Sequence, residues 1–132
     1  MQVLAPFLIA LAPVFFLYSH NASQVILVDI LVSAGVVLLL ALVMFGFFAL
    51  VFRNATKASV AASLILIFFF SYGHAFSLKD KLGIPLRVLA GGSLLLSLLA
   101  VLFVWKTKLN LNTFVRILGV FAGFMLIISL FQ

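Results

Sequence analysis

Five apolar stretches, separated by short clusters of charge, constrain this chain more than any other feature. A run of about 18 or more apolar residues reads as a membrane-crossing helix, because about 20 residues at a rise of 1.5 Å cover a hydrocarbon layer of roughly 30 Å. Two thirds of the 132 residues are apolar, and only ten are Asp, Glu, Lys or Arg. That leaves too little polar surface for a dissolved globule. Within lipid the backbone must satisfy its own hydrogen bonds, so the runs are expected to be helices. The runs do not alternate as the strands of a transmembrane barrel would. The expected fold is all-α: a single domain over residues 1–132, built as a bundle of five transmembrane helices.

Hydropathy places the spans at about 3–18, 25–52, 58–76, 86–105 and 113–131. The first is short and carries Pro13, which is expected to kink it. Its lack of a preceding Lys or Arg reads as a retained span rather than a cleaved signal. The second is longer than a crossing needs and is expected to tilt or project. The loop between the third and fourth spans is expected over 77–85, around Lys79, Asp80 and Lys81.

The formal net charge is +6. It lies between spans while the aromatic residues lie within them, so it points to membrane topology and not to nucleic acid. The chain has no cysteine, which removes disulfides, thiolate nucleophiles and Cys-ligated metals. With five spans the loops alternate sides. Arg53, Lys57, Lys106, Lys108 and Arg116 fall on one side, and Lys79, Lys81 and Arg87 on the other. The Lys/Arg bias of short loops makes the first side cytoplasmic, with the N-terminus in and the C-terminus out.

Under that topology the remaining polar residues gather on one face. His20, Asn21, Asp29, Tyr72, His74, Lys79 and Asp80 form a candidate outer-face cluster. Asp29 is the sharpest member, since a carboxylate deep in a span costs several kcal/mol, and less near an interface. It reads either as a proton or ion site or as an acid hydrated near the headgroups. His20 and His74 with Asp29 or Asp80 offer two imidazoles and a carboxylate, a set that can hold zinc or iron. The residues come from different spans without a spacing motif, so no metal and no cofactor is expected. Tyr18, Tyr72 and Trp105 sit at span ends, as an aromatic belt does. Gly119 and Gly123 form a Gly-x-x-x-Gly face for close helix packing, within the chain or between copies.

Three segments occur in order: Leu17-Tyr18-Ser19-His20-Asn21, Phe69-Phe70-Ser71-Tyr72-Gly73-His74 and Phe114-Val115-Arg116-Ile117-Leu118. Together they resemble the N-terminal membrane region of bacterial sulfatase-like hydrolase/transferases, the alkaline phosphatase superfamily branch that includes lipoteichoic acid synthase-like proteins. The resemblance implies a bacterial inner-membrane location and a role as membrane anchor for an extracytoplasmic catalytic domain. That domain's Thr or Ser nucleophile and metal ligands have no counterpart at any position here, so no catalytic residue carries over.

The functional expectation is a non-catalytic integral membrane module, an anchor or small subunit of a larger assembly, and not an enzyme on its own. Its expected partners are membrane lipids and a protein partner or second copy. The alternatives are a small transporter or channel using Asp29, and the membrane part of a lipid- or glycan-modifying enzyme with an outer-face polar site.

Overall fold

The computed structural model describes residues 3–21 and 23–131, with the side chains of 78–82 outside the described set. It contains five helices: α1 (Ala5–His20), α2 (Leu27–Phe52), α3 (Ala55–Leu82), α4 (Leu86–Lys106) and α5 (Asn112–Leu130). Four of them, α2, α3, α4 and α5, are long and apolar enough to cross a membrane. The 16 residues of α1 reach roughly 24 Å at 1.5 Å per residue. This is the architecture of a helical membrane protein.

Local chemistry sets the helix ends. Pro6 opens α1, where its missing N–H costs nothing. Pro13 lies inside α1 without ending it. Arg53 closes α2 in the left-handed region at φ 50°, its N–H bonded to Ala49 O. Asn54 then starts α3 by accepting the Lys57 N–H on its Oδ1 at 3.0 Å, the usual side-chain cap of a helix start. Gly83 takes φ 64°, a conformation a side chain disfavours, directly after the last residue of α3. Pro85 follows as the N-cap of α4.

The largest shift from the expected boundaries is in α3, which also starts three residues early, at Ala55. The helix α3 runs on through 77–82, where a loop was expected, and the connection shrinks to 83–85. Its 28 residues span roughly 42 Å, so about two turns exceed the hydrocarbon thickness. Charge at 79–81 ended the apolar run without ending the helix.

Two layers of buried residues fix the order of the bundle. The first joins Ala5, Phe48, Ala58, Val60, Ala61, Ala62, Val104 and Val115. It brings the starts of α1, α3 and α5 to the ends of α2 and α4, so successive helices run antiparallel. The second layer joins Ile9, Ala10, Ala41, Leu66 and Ala122 and contains no residue of α4. The central element is α3, which packs against all four others, and α1 lies between α2, α3 and α5. Every residue from Ala58 to Ser63 is buried. Nothing larger than valine occurs there, which is what lets four neighbours approach one helix from all sides.

Within this segment Ser63 Oγ is buried without a hydrogen-bond partner. A buried unmet hydroxyl costs about 1–3 kcal/mol. Ser63→Ala is therefore expected to be neutral or stabilising, and Ala61→Leu to destabilise by about 1–3 kcal/mol or more through overpacking. Denaturant titration in detergent with helical circular dichroism measures both, with the lipid-exposed Leu95→Ala as a near-neutral control.

Candidate functional site

The two ends of the bundle differ in how their polar groups are used. At the end holding Arg53, Lys57, Lys106, Lys108 and Arg116, polar side chains bridge helices. Lys57 Nζ donates to Trp105 O and Thr107 O, both at 2.8 Å. Those carbonyls belong to the C-terminal end of α4, where helix carbonyls lack partners within the helix and the macrodipole favours a cation. Thr56 Oγ1 donates to Asn112 Oδ1 at 3.1 Å, tying the start of α3 to the start of α5. The α4–α5 connection holds itself with Leu109 N–H on Thr107 Oγ1 and Asn112 N–H on Asn110 Oδ1, short turns typical of Thr and Asn.

At the other end, polar groups turn back on their own helices. Ser19 Oγ donates to Phe16 O at 2.9 Å. The His20 Nδ1 atom lies 3.0 Å from that carbonyl, and the ring packs against Phe16 at a tilt of 35°, with centroids 4.2 Å apart. Asn21 Nδ2 donates to Leu17 O at 2.8 Å. His74 is exposed, its carbonyl accepting from Ser77 Oγ. Asp29 is exposed in the first turn of α2, where a carboxylate complements the positive end of the helix dipole. Lys79 and Asp80 lie outside the described side chains. Among the described residues no three His, Asp or Glu side chains are grouped to hold a metal ion.

Tyr72 stands apart from the other members of this cluster. With Ser71 it lines a cleft of about 370 Å³ between the second half of α3 and the first half of α4, closed on the α4 side by Val88, Leu89, Gly92 and Ser93. The cleft arises because α4 leaves the core after the first buried layer. Its hydroxyls are few. Ser93 Oγ is bonded to Leu89 O at 2.9 Å, and deeper in α4 Ser97 Oγ is bonded to Ser93 O at 2.8 Å. Ser129 of α5 likewise donates to Met125 O. Such bonds to the carbonyl four residues back satisfy a hydroxyl within its own helix. The cleft therefore presents a mainly apolar wall with Tyr72 at its rim.

Of the Gly-x-x-x-Gly pair, Gly123 lies on the side of α5 that faces α1. A side-chain atom added at Gly123 would stand 4.0 Å from Leu8 Cδ1 of α1, and α1 packs closely against α5. The interhelical roles of Lys57, Thr56 and Asn112 were missed in the sequence. The Asn54-x-x-Lys57 spacing marks a helix start, but nothing in it shows that the lysine reaches a different helix.

The chain matches no family model, no curated protein and no solved structure. Its class is accordingly set by the fold: an all-helical membrane protein, closed by interhelical hydrogen bonds at its basic end and parted between α3 and α4 at the other.

Replacing Lys57 by Met is expected to cost about 1 kcal/mol, since a partly exposed charged donor to two carbonyls is lost. Lys57→Arg should recover part of it. The check is the shift of the unfolding midpoint of each variant in the same detergent.

Proposed function

We propose that this chain is a non-catalytic integral membrane module, an anchor or small subunit of a larger membrane assembly. The observation that supports this reading is the local bonding of its polar groups. His20, Asn21, Ser93, Ser97 and Ser129 engage carbonyls of their own helices, and Asp29 sits exposed at a helix start. Among the described residues, polar side chains used in this way bring together no group of acids, bases or nucleophiles. Among the described residues, no ionisable side chains line up through the bundle as a transport pathway would require. Broad apolar faces on α2 and α4, exposed from Leu31 to Leu50 and from Leu94 to Phe103, give such a module its contact with lipid and with partner helices.

The basic end is assigned to the cytoplasm by the Lys/Arg bias, with the N-terminus in, the C-terminus out and the bacterial inner membrane as the location. On the resemblance to sulfatase-like hydrolase/transferases, the assembly served would carry its catalytic part on the outer face, the side of His20, Tyr72 and the α3–α4 cleft.

Affinity capture of the tagged chain from its native membrane in mild detergent is expected to bring down a membrane or membrane-attached partner in fixed stoichiometry. Proteoliposomes holding the chain alone should show no proton flux above empty vesicles. Flux abolished by Asp29→Asn would overturn the reading in favour of a transporter.

A further inference from the structure

The outward stripe of α5 carries a groove of about 440 Å³ lined by Thr113, Arg116, Ile117, Val120, Phe121 and Phe124. All six residues are exposed and belong to one helix, so the groove is a shallow one, open along the face of α5. Their positions repeat at intervals of three and four, so they form one continuous strip along the helix. The strip has a polar head and an apolar body. Thr113 and Arg116 stand in the first turns of α5 at the basic end, and four large apolar side chains continue toward the middle of the bundle.

Charge decides what fits this strip. Lys57 at the same end is committed to the α4 carbonyls. Arg116 has no acidic partner among the described residues, and Lys106 and Lys108 on the adjoining segment are exposed. The two acids of the chain, Asp29 and Asp80, follow and precede the loops of the opposite end. A second copy using this strip about a two-fold axis along the membrane normal would place Arg116 against Arg116 at the same depth, with both copies' lysines nearby. Like charges so placed repel, and more strongly where the dielectric falls. A lipid with a negative headgroup meets the opposite condition. Its phosphate lies at the depth of the guanidinium, which binds phosphate through two parallel N–H bonds, and its acyl chain lies along the apolar body of the strip.

We propose that the α5 strip is a binding site for one anionic phospholipid, with Arg116 and Thr113 holding the phosphate and Ile117, Val120, Phe121 and Phe124 bearing the acyl chain. This goes beyond the anchor reading and stands whether or not that reading holds, because it concerns which lipid is retained and not what the chain is attached to.

Native mass spectrometry of the purified chain, released from detergent with equimolar phosphatidylglycerol and phosphatidylcholine, tests the site. The chain is expected to retain phosphatidylglycerol about fivefold over phosphatidylcholine, the effect of about one basic residue near the headgroups. Arg116→Gln should remove the preference and Arg116→Lys should keep part of it. Phe121→Ala should lower retention of both lipids alike. Unchanged helical circular dichroism in each variant assigns the effect to the site. Equal retention of the two lipids by the parent chain, a preference that survives Arg116→Gln, or a dimer mass in place of lipid adducts would each overturn the proposal.

Discussion

The structure depends on the way helices associate where the solvent is as apolar as they are. Burying a leucine against another helix gains little when lipid tails would cover it equally well, so association rests on close van der Waals packing and on hydrogen bonds between helices. The segment from Ala58 to Ser63 meets the first need. Its side chains are small enough for α1, α2, α4 and α5 to close around α3, and all six residues are buried. Lys57 and Thr56, one turn earlier, meet the second need by bonding to the end of α4 and the start of α5. Packing and polar bonding thus reinforce each other at a single end of the bundle.

The asymmetry of the molecule follows from that concentration. Toward the opposite end α3 changes from Ala and Ser to Phe68, Phe69, Phe70 and Tyr72: Phe70 packs in the second buried layer, Phe69 faces outward, and Phe68 and Tyr72 line the cleft left where α4 departs. The hydroxyls and amides there are satisfied by carbonyls one turn back, so they require no partner helix.

The number of helices and most of their limits were legible in hydropathy, because a span must be apolar over its whole length. The end of α3 was not. Lys79, Asp80 and Lys81 broke the apolar run, whereas the signals that stop the helix, Gly83 and Pro85, lie further on and concern backbone conformation. The central place of α3 was also hidden. In water a central helix is marked by being apolar all round, but here the lipid-facing helices are equally apolar, and only the crowding of Ala and Ser between 58 and 63 distinguishes it. Asp29 read either as a proton or ion site or as an acid near the headgroups, and the structure adds that it is exposed in the first turn of α2. Lys57 was read only as a loop charge, since its partners are backbone carbonyls 48 and 50 residues away that carry no sequence signature.

Carbene footprinting with a photoactivated, lipid-dissolved diazirine tests the central claim on the unaltered chain in liposomes. Encirclement of α3 at its start predicts no label on any residue from 58 to 63, together with strong label on Phe69 and on Leu94 to Leu99. Label appearing within 58–63 at every third or fourth residue would show a side of α3 open to lipid and would contradict the account.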